Sequence, residues 1–308
     1  MSVAECLLSA GDTVTLVSDI PITHTTSHLA AAVWFPTAAG PPDRVADWGA
    51  TTFDFLERLA RSGTPGVRMC ESLTLHRERP PAPGWARQVR GFRPARRDEL
   101  PAGYRSGFRF AVPLVEMPVF LPYLRDRVAA AGARWVRRRV ERWDDLLDLA
   151  PDVVVNCAGL GARGIVPDDG LTPIRGRIVR VTNPGLTMSV RDEAHPLGRA
   201  YVHPRAADCI LGGTLDIGQW DTTADPAVTQ SILQRCRDLV PELAGSRVLD
   251  SLAGLRPGRA EVRLELDDAS PSWVPVVHNY GHGGSGITIG YGCAQEVARI
   301  VGALRSAS

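Results

Sequence analysis

Val276-Val277-His278-Asn279-Tyr280-Gly281-His282-Gly283-Gly284-Ser285-Gly286 is the stretch on which the reading of the chain turns. The apolar run Val274–His278 predicts a buried strand. It delivers the backbone into a turn with glycine at 281, 283, 284 and 286. Glycine permits positive φ and lets a backbone approach a ligand closely. A helical pattern follows and ends near Leu304. The first N–H groups of that helix have no partner within it, so they suit an anion or an oxygen-rich ligand. Gly292 and Ala294 keep the helix slim where it meets a neighbour. A plain turn does not need so many glycines, so the stretch reads as a ligand contact.

Outward from this stretch, Asp152–Asn156 predicts a strand apolar on both faces, as in a parallel sheet. Residues 177–182, 200–204 and 208–214 predict strands of a second, antiparallel sheet. Strand signals return at 247–255 and 261–265, after an amphipathic helix over Pro226–Val240. Helices are predicted over 44–61 and Pro118–Ala131, a strand over Arg134–Val140 and a short helix over Trp143–Leu149. The Arg- and Pro-rich residues 76–105 read as edge strands and turns. At the start, residues 2–10 place Val3, Cys6, Leu7 and Ala10 on one helical face. Gly11-Asp12 ends that helix, and Thr13–Val17 reads as a strand. A helix feeding a strand is the second half of a β-α-β unit, whose first strand is missing here.

The 308 residues are 44% apolar and 22% charged, a globular composition. The 35 basic and 34 acidic groups leave +1, which argues against nucleic acid or a membrane held by bulk charge. Every basic residue is Arg. The plain reading is the codon bias of a GC-rich genome. It excludes a lysine Schiff base to pyridoxal phosphate and a Walker P-loop. The arginines between Arg77 and Arg97 read as a solvated surface. The six cysteines show no C-x-x-C or zinc spacing and read as buried thiols. His278 and His282 have no acidic or Cys partner nearby in sequence, so no metal is expected. No run approaches the roughly 20 apolar residues of a membrane span. Neither a signal peptide nor a peroxisomal address is read, and the expected setting is cytoplasmic.

Residues 276–294 resemble the signature of the D-amino-acid oxidase family. Two aliphatics lead into His-Asn-Tyr-Gly, paired small residues, then Gly286, Gly292 and Ala294. Other matches follow in order along essentially the whole chain. Thr25-Thr26-Ser27 and Ala30-Ala31-Ala32-Val33-Trp34 look like the segment lying over the flavin. Asn156-Cys157-Ala158-Gly159 looks like the strand end beside it. Arg175-Gly176-Arg177 looks like the crossover into the substrate domain. Tyr201-Val202-His203-Pro204 and Gly212-Gly213-Thr214 look like the substrate sheet, and Gly254-Leu255-Arg256-Pro257 like the carboxylate-binding strand.

The resemblance implies an α/β fold with an FAD-binding, dinucleotide-type parallel sheet and an α+β substrate domain with an antiparallel sheet. Residues 1–42, 134–172 and 247–308 would form the FAD-binding domain, and 43–133 and 173–246 the substrate domain. The implied FAD contacts are Asp19, Thr25, Thr26, Ser27, Ala31, Ala32, Val33, Val140, Ala158, Gly283, Gly284, Ser285, Gly286, Ile287 and Thr288. His278 would pack near the cofactor, and Arg259 would be solvated. Arg256 would grip the substrate carboxylate as a two-pronged cation. Tyr201 would donate to the same carboxylate, and the Gly284 carbonyl would accept from the amino group. With these points held, the Cα hydrogen leaves as hydride to flavin N5, and no side-chain base is required. The imino acid hydrolyses to a 2-oxo acid and ammonia. Dioxygen takes the electrons and yields hydrogen peroxide. A homodimer is compatible with this picture.

Neutral, fairly apolar D-amino acids are the expected substrates. Acidic ones such as D-aspartate join them if Arg191 or Arg199 reaches the pocket, and glycine oxidation is a further alternative. The resemblance places a lid Tyr four residues before Tyr201, where this sequence has Leu197, and the Thr187–Arg199 loop is short. Closure by an aromatic lid is therefore not expected. The family's opening strand and G-x-G-x-x-G turn are also missing, because the sequence starts at Met1-Ser2-Val3, just after that turn. A start placed about a dozen residues too late is the expected account. A flavin-less remnant acting as a binding module is the alternative.

Overall fold

The first elements follow the predicted order, α1 (Ser2–Ser9) and then β1 (Thr15–Ser18). This is a computed structural model, and it describes residues 1–36 and 39–307. Next come α2 (Thr26–Leu29), α3 (Pro42–Arg61), β2 (Val67–His76), β3 (Arg90–Pro94), β4 (Ser106–Val115) and α4 (Met117–Ala130). The middle of the chain holds β5 (Arg134–Arg137), β6 (Val154–Asn156), β7 (Thr172–Thr182), β8 (Ser189–Asp192), β9 (Ala200–Pro204) and β10 (Asp208–Gly212). It closes with β11 (Asp216–Ile217), α5 (Pro226–Leu239), β12 (Val248–Leu266), β13 (Val276–His282) and α6 (Gly286–Ala307).

The fold is mixed α/β. β1 and β5 form a small parallel sheet, and an 11-stranded sheet runs β3-β4-β2-β8-β9-β10-β7-β12-β13-β6, with β11 on β7. Its β13–β6 and β2–β8 pairs are parallel, and the others antiparallel. The parallel and antiparallel parts are joined through β12, one strand of 19 residues where the sequence pattern suggests two. β12 pairs β7 from Val248 to Gly258 and β13 from Gly258 to Leu266, with an irregularity between Gly258 and Arg263. Such a bulge lets one strand serve two partners and breaks its apparent period. The small sheet is not hydrogen-bonded to β6, and both edges face the same cavity.

The long helices hold this frame together by close approach. α6 crosses α3 where a Cβ on Gly292 would collide with the backbone of Trp48, and Ala294 and Val297 are fully buried. The Gly292 N–H donates to Thr52 Oγ1 at 2.9 Å. Trp34, Phe53 and Phe110 fill the core between α3 and β4. Several arginines expected on a solvated face are paired: Arg77 with Asp192 (2.6 Å), Arg90 with Glu57 (2.9 Å) and Arg93 with Glu99 (2.6 Å). Four cysteines are buried and Cys6 half-buried, but Cys157 opens onto the cavity. Among the described residues no helix is long and apolar enough to cross a membrane, and no cluster suits a metal.

Candidate active site

A cavity of about 2350 Å³ lies between β1, the end of β6, the Thr25–Val33 segment, the turn after β13, and the face of β7, β9 and β12. Typical small-molecule pockets span roughly 300–1,000 Å³, so this one holds a large ligand with room for a second. One end is walled mainly by backbone. Gly281 (φ +85°) and Gly283 (φ +55°) take up left-handed conformations, and the Gly283 N–H donates to Pro257 O at 2.7 Å. That bond seats the turn beside Arg256. The first-turn amides of α6, at Gly286, Ile287 and Thr288, have no partner inside the helix. Opposite them, Ala32 has φ +46°, uncommon for a residue with a Cβ. Its carbonyl accepts from Val115 N–H (2.7 Å), and Trp34 N–H donates to Pro113 O (2.9 Å). The amides of Ala31, Ala32 and Val33 are left with no partner among the described residues. Thr26 Oγ1 donates to Leu255 O (2.9 Å), pinning the segment next to Arg256.

The wall behind this end is a polar network. The Asn156 side chain contacts His278 Nδ1 at 3.3 Å and accepts from Ala158 N–H at 3.1 Å. His278 Nε2 is 3.1 Å from Asp267 Oδ2. His278 therefore does not line the cavity; it stands one layer back and orients the Asn156–Ala158 turn. Burial and Arg263 hold its pKa below the usual histidine value. The Tyr280 hydroxyl donates to Asp168 Oδ2 (2.8 Å), and Arg263 donates to that hydroxyl (3.0 Å). Arg259 is not solvated as expected: its Nε lies 3.1 Å from Asp168. The carboxylate of Asp168, enclosed by Tyr280, supplies the partner that its sequence context did not show.

The other end is walled by side chains from a sheet. Arg256 projects from β12, and its Nη1 donates to Thr214 O at 3.2 Å. Its guanidinium lies over Gly176 of β7, where a Cβ would collide with Nη1, Nη2 and Cζ. Tyr201 of β9 lies likewise over Gly212, its partner on β10. Two strand glycines thus clear the space for the two side chains. The Tyr201 hydroxyl has no partner among the described residues, and burial raises its pKa despite the nearby Arg256. At neutral pH it is a donor. Gly284 lines the cavity, and its carbonyl accepts no bond among the described residues. His282 also lines it, neutral at pH 7 because burial pushes its pKa to about 4.

Tyr201, Arg256 and Gly284 thus face one cavity, together with Asp19, Thr25, Thr26, Ser27, Ala31, Ala32, Val33, Val140, Ala158, Gly283, Gly286, Ile287 and Thr288. Ser285 does not; it is fully buried, and its carbonyl accepts from Ile289 N–H at the start of α6. The Thr288 hydroxyl is spent on the Phe35 backbone (3.2 Å) and so braces the Ala-rich segment. Arg191 and Arg199, which the sequence named only as residues that could reach the pocket, both line it, as does His203 of the substrate-sheet match; Phe35 joins the site from a position the sequence did not place there. At the substrate end the strand glycines Gly176 and Gly212 mark the close approach of Arg256 and Tyr201.

The profile described as FAD dependent oxidoreductase matches residues 1–300, and the chain belongs to that family. It is 48% identical over 307 residues to a D-amino-acid oxidase of Rubrobacter xylanophilus, covering 99% of this chain and 94% of the relative. It is 41% identical over 303 residues to a D-amino-acid oxidase of Streptomyces coelicolor, covering 97% and 92%. A crystal structure of glycine oxidase from Geobacillus kaustophilus shares the fold, with TM-score 0.79 at 17% identity over 98% of this chain and 91% of that one. The family's cofactor is FAD, and the residues present fit it. The unpartnered amides of Ala31–Val33 and the glycine-lined start of α6 offer donors to an oxygen-rich ring and chain.

Proposed function

We propose that this enzyme oxidatively deaminates D-amino acids. The observation that carries the reading is that Arg256, Tyr201 and Gly284 all line one cavity beside the backbone-lined end. A carboxylate meets a planar, permanently charged fork at Arg256 and a neutral donor at Tyr201. The amino group meets an acceptor at Gly284. Amino acid is thus supported by the geometry, and the D configuration by the names of the two relatives. Bound FAD supplies the hydride acceptor. The protein's part is positioning: three points fix which Cα substituent faces the backbone-lined end. The Cα–H bond breaks with its electron pair, the amine loses a proton, and the C=N bond forms. Water then converts the imino acid to a 2-oxo acid and ammonia. No basic side chain is needed, in keeping with a His282 that stays neutral and weakly basic.

The reading takes dioxygen as electron acceptor, hydrogen peroxide as its product, and a homodimer in the cytoplasm as the working form. The test is peroxide and 2-oxo acid release by the FAD-loaded protein on panels of D- and L-amino acids. D-specific release of both products is expected. Release from L-isomers alone, or from neither panel, overturns the assignment.

A further inference from the structure

Behind the substrate end, α5 buries a charge that the reaction outlined above does not use. Val202 and Leu211 pack with Ile232 and Cys236 of α5, while Tyr201 and His203, on either side of Val202, line the cavity. Side chains alternate along a strand, so α5 covers the sheet face away from the cavity. Its buried residues are Ile232, Leu233, Arg235, Cys236 and Leu239, one arginine among apolar side chains. Arg235 is 4% exposed. Its Nε donates to Arg199 O (2.7 Å), Nη1 to Leu197 O (3.2 Å) and Ser231 Oγ (3.0 Å), and Nη2 to Gly213 O (3.0 Å). The acidic groups acting on it are the Cys236 thiol and the Tyr201 hydroxyl. Burial raises the pKa of both, so neither is ionised at neutral pH. Arg235 is thus a buried cation held by neutral acceptors.

A buried charge is costly, and an apolar side chain of similar volume is often as stable in its place. What the guanidinium adds is geometry, a planar fork that reaches several carbonyls at once. Those carbonyls lie on two segments. Arg199 precedes β9, Gly213 follows β10, and Gly213 N–H donates to Arg199 O at 3.1 Å. Arg235 bonds to both carbonyls and closes a ring across the two strand ends. One residue on, Cys236 Sγ lies 3.4 Å from Tyr201 O and 3.7 Å from Gly212 O. The strip held from beneath is the strip used from above. The Tyr201 ring lies over Gly212, and a Cβ on Gly213 would stand 2.7 Å from its hydroxyl. The carbonyl of Thr214, the next residue, accepts from Arg256 Nη1 at 3.2 Å. Gly213-Thr214 therefore meets both side chains assigned to the substrate carboxylate.

We propose that Arg235 is a positioning residue for the oxidation: from outside the cavity it fixes Gly213 and the start of β9, and so holds the Tyr201 hydroxyl and the Arg256 guanidinium at the spacing of one carboxylate. The proposal rests on the D-amino-acid reading and deepens it. Arg235 does not line the cavity, so it acts only through the backbone it holds. Packing of α5 on the sheet accounts for Ile232 and Leu239 but not for a cation between them.

The test compares FAD-loaded wild type, Arg235→Met, Arg235→Lys and Ile232→Ala by steady-state kinetics on a panel of D-amino acids and by calorimetry with propionate, a bare carboxylate probe. Arg235→Met is expected to raise KM on every D-amino acid oxidised, and the propionate Kd, by at least about tenfold, with a smaller fall in kcat. Flavin titration is expected to show FAD affinity kept within about twofold. Arg235→Lys, a point charge that reaches fewer of the carbonyls, falls between wild type and Arg235→Met. Ile232→Ala opens a cavity under the same helix and lowers the melting temperature, but keeps KM and propionate affinity within about twofold. Wild-type KM and propionate affinity in Arg235→Met, or in Arg235→Lys where the Met variant does not fold, overturn the proposal. So does an Ile232→Ala whose KM rises as far as that of Arg235→Met, since helix packing alone then explains the loss. Oxidation of no D-amino acid overturns the D-amino-acid reading instead, and propionate binding still decides the role of Arg235.

Discussion

The two ends of the cavity are built in opposite ways. The cofactor end presents backbone: Ala31–Val33 on one side, Gly283–Gly286 on the other, with side chains kept small so the chain itself can approach. The substrate end presents long side chains, Arg191, Tyr201 and Arg256, raised from three strands of one sheet. A backbone wall tolerates few substitutions because its specificity is shape and amide direction. A side-chain wall is modular, since each head can change without moving the strand beneath. The first suits an invariant cofactor and the second a substrate that varies.

The largest effect is expected at the modular end. Arg256→Ala removes the charged fork, worth ~2–4 kcal/mol of substrate binding, so kcat/KM falls about 30- to 1,000-fold on every amino acid. The fold is expected to survive, and steady-state kinetics with an unchanged melting curve check both. A substrate-selective loss breaks the comparison, since Arg256 would then read the substrate side chain instead of the shared α-carboxylate. At the backbone end, Gly292→Ala forces α6 away from Trp48. Overpacking of about 1–3 kcal/mol lowers the melting temperature and weakens FAD binding together. Flavin titration and thermal denaturation read the two; weakened stability with intact FAD affinity uncouples helix packing from the amide wall.

The smallest effect lies behind both ends. Burial raises the carboxyl pKa of Asp168, but the Tyr280 hydroxyl and Arg259 outweigh it and hold it below the usual range. The stabilising contribution of a depressed carboxyl is complete above its unfolded pKa, near 4, and is lost as pH falls through the lower folded value. Tyr280→Phe removes one of those bonds. Its melting temperature drops by a few degrees at neutral pH, and the deficit narrows as pH falls below the unfolded carboxyl value. A deficit that holds constant with pH assigns the loss to packing alone.

Much of the frame was legible because helices and the later strands announce their own period. α1, α3, α4, α5 and α6 lie where the spacing puts them. β2 and β4 went unpredicted: they form a long antiparallel pair whose pattern is broken by inward polar residues such as Ser72 and Thr74, both buried. β12 read as two strands because its bulge resets the alternation. Arg259 looked solvated since its partner, Asp168, lies far along the chain.

By itself the sequence determined the backbone wall. The glycines after β13 and the alanines before Trp34 are contiguous, and a turn with small residues is a local property of φ, ψ and side-chain size. Tertiary structure alone decided the side-chain wall. That Arg191 faces Tyr201 across a strand pair, and that Gly176 makes room for Arg256, depends on strand register. Register is set by pairing between distant segments, which no local period encodes.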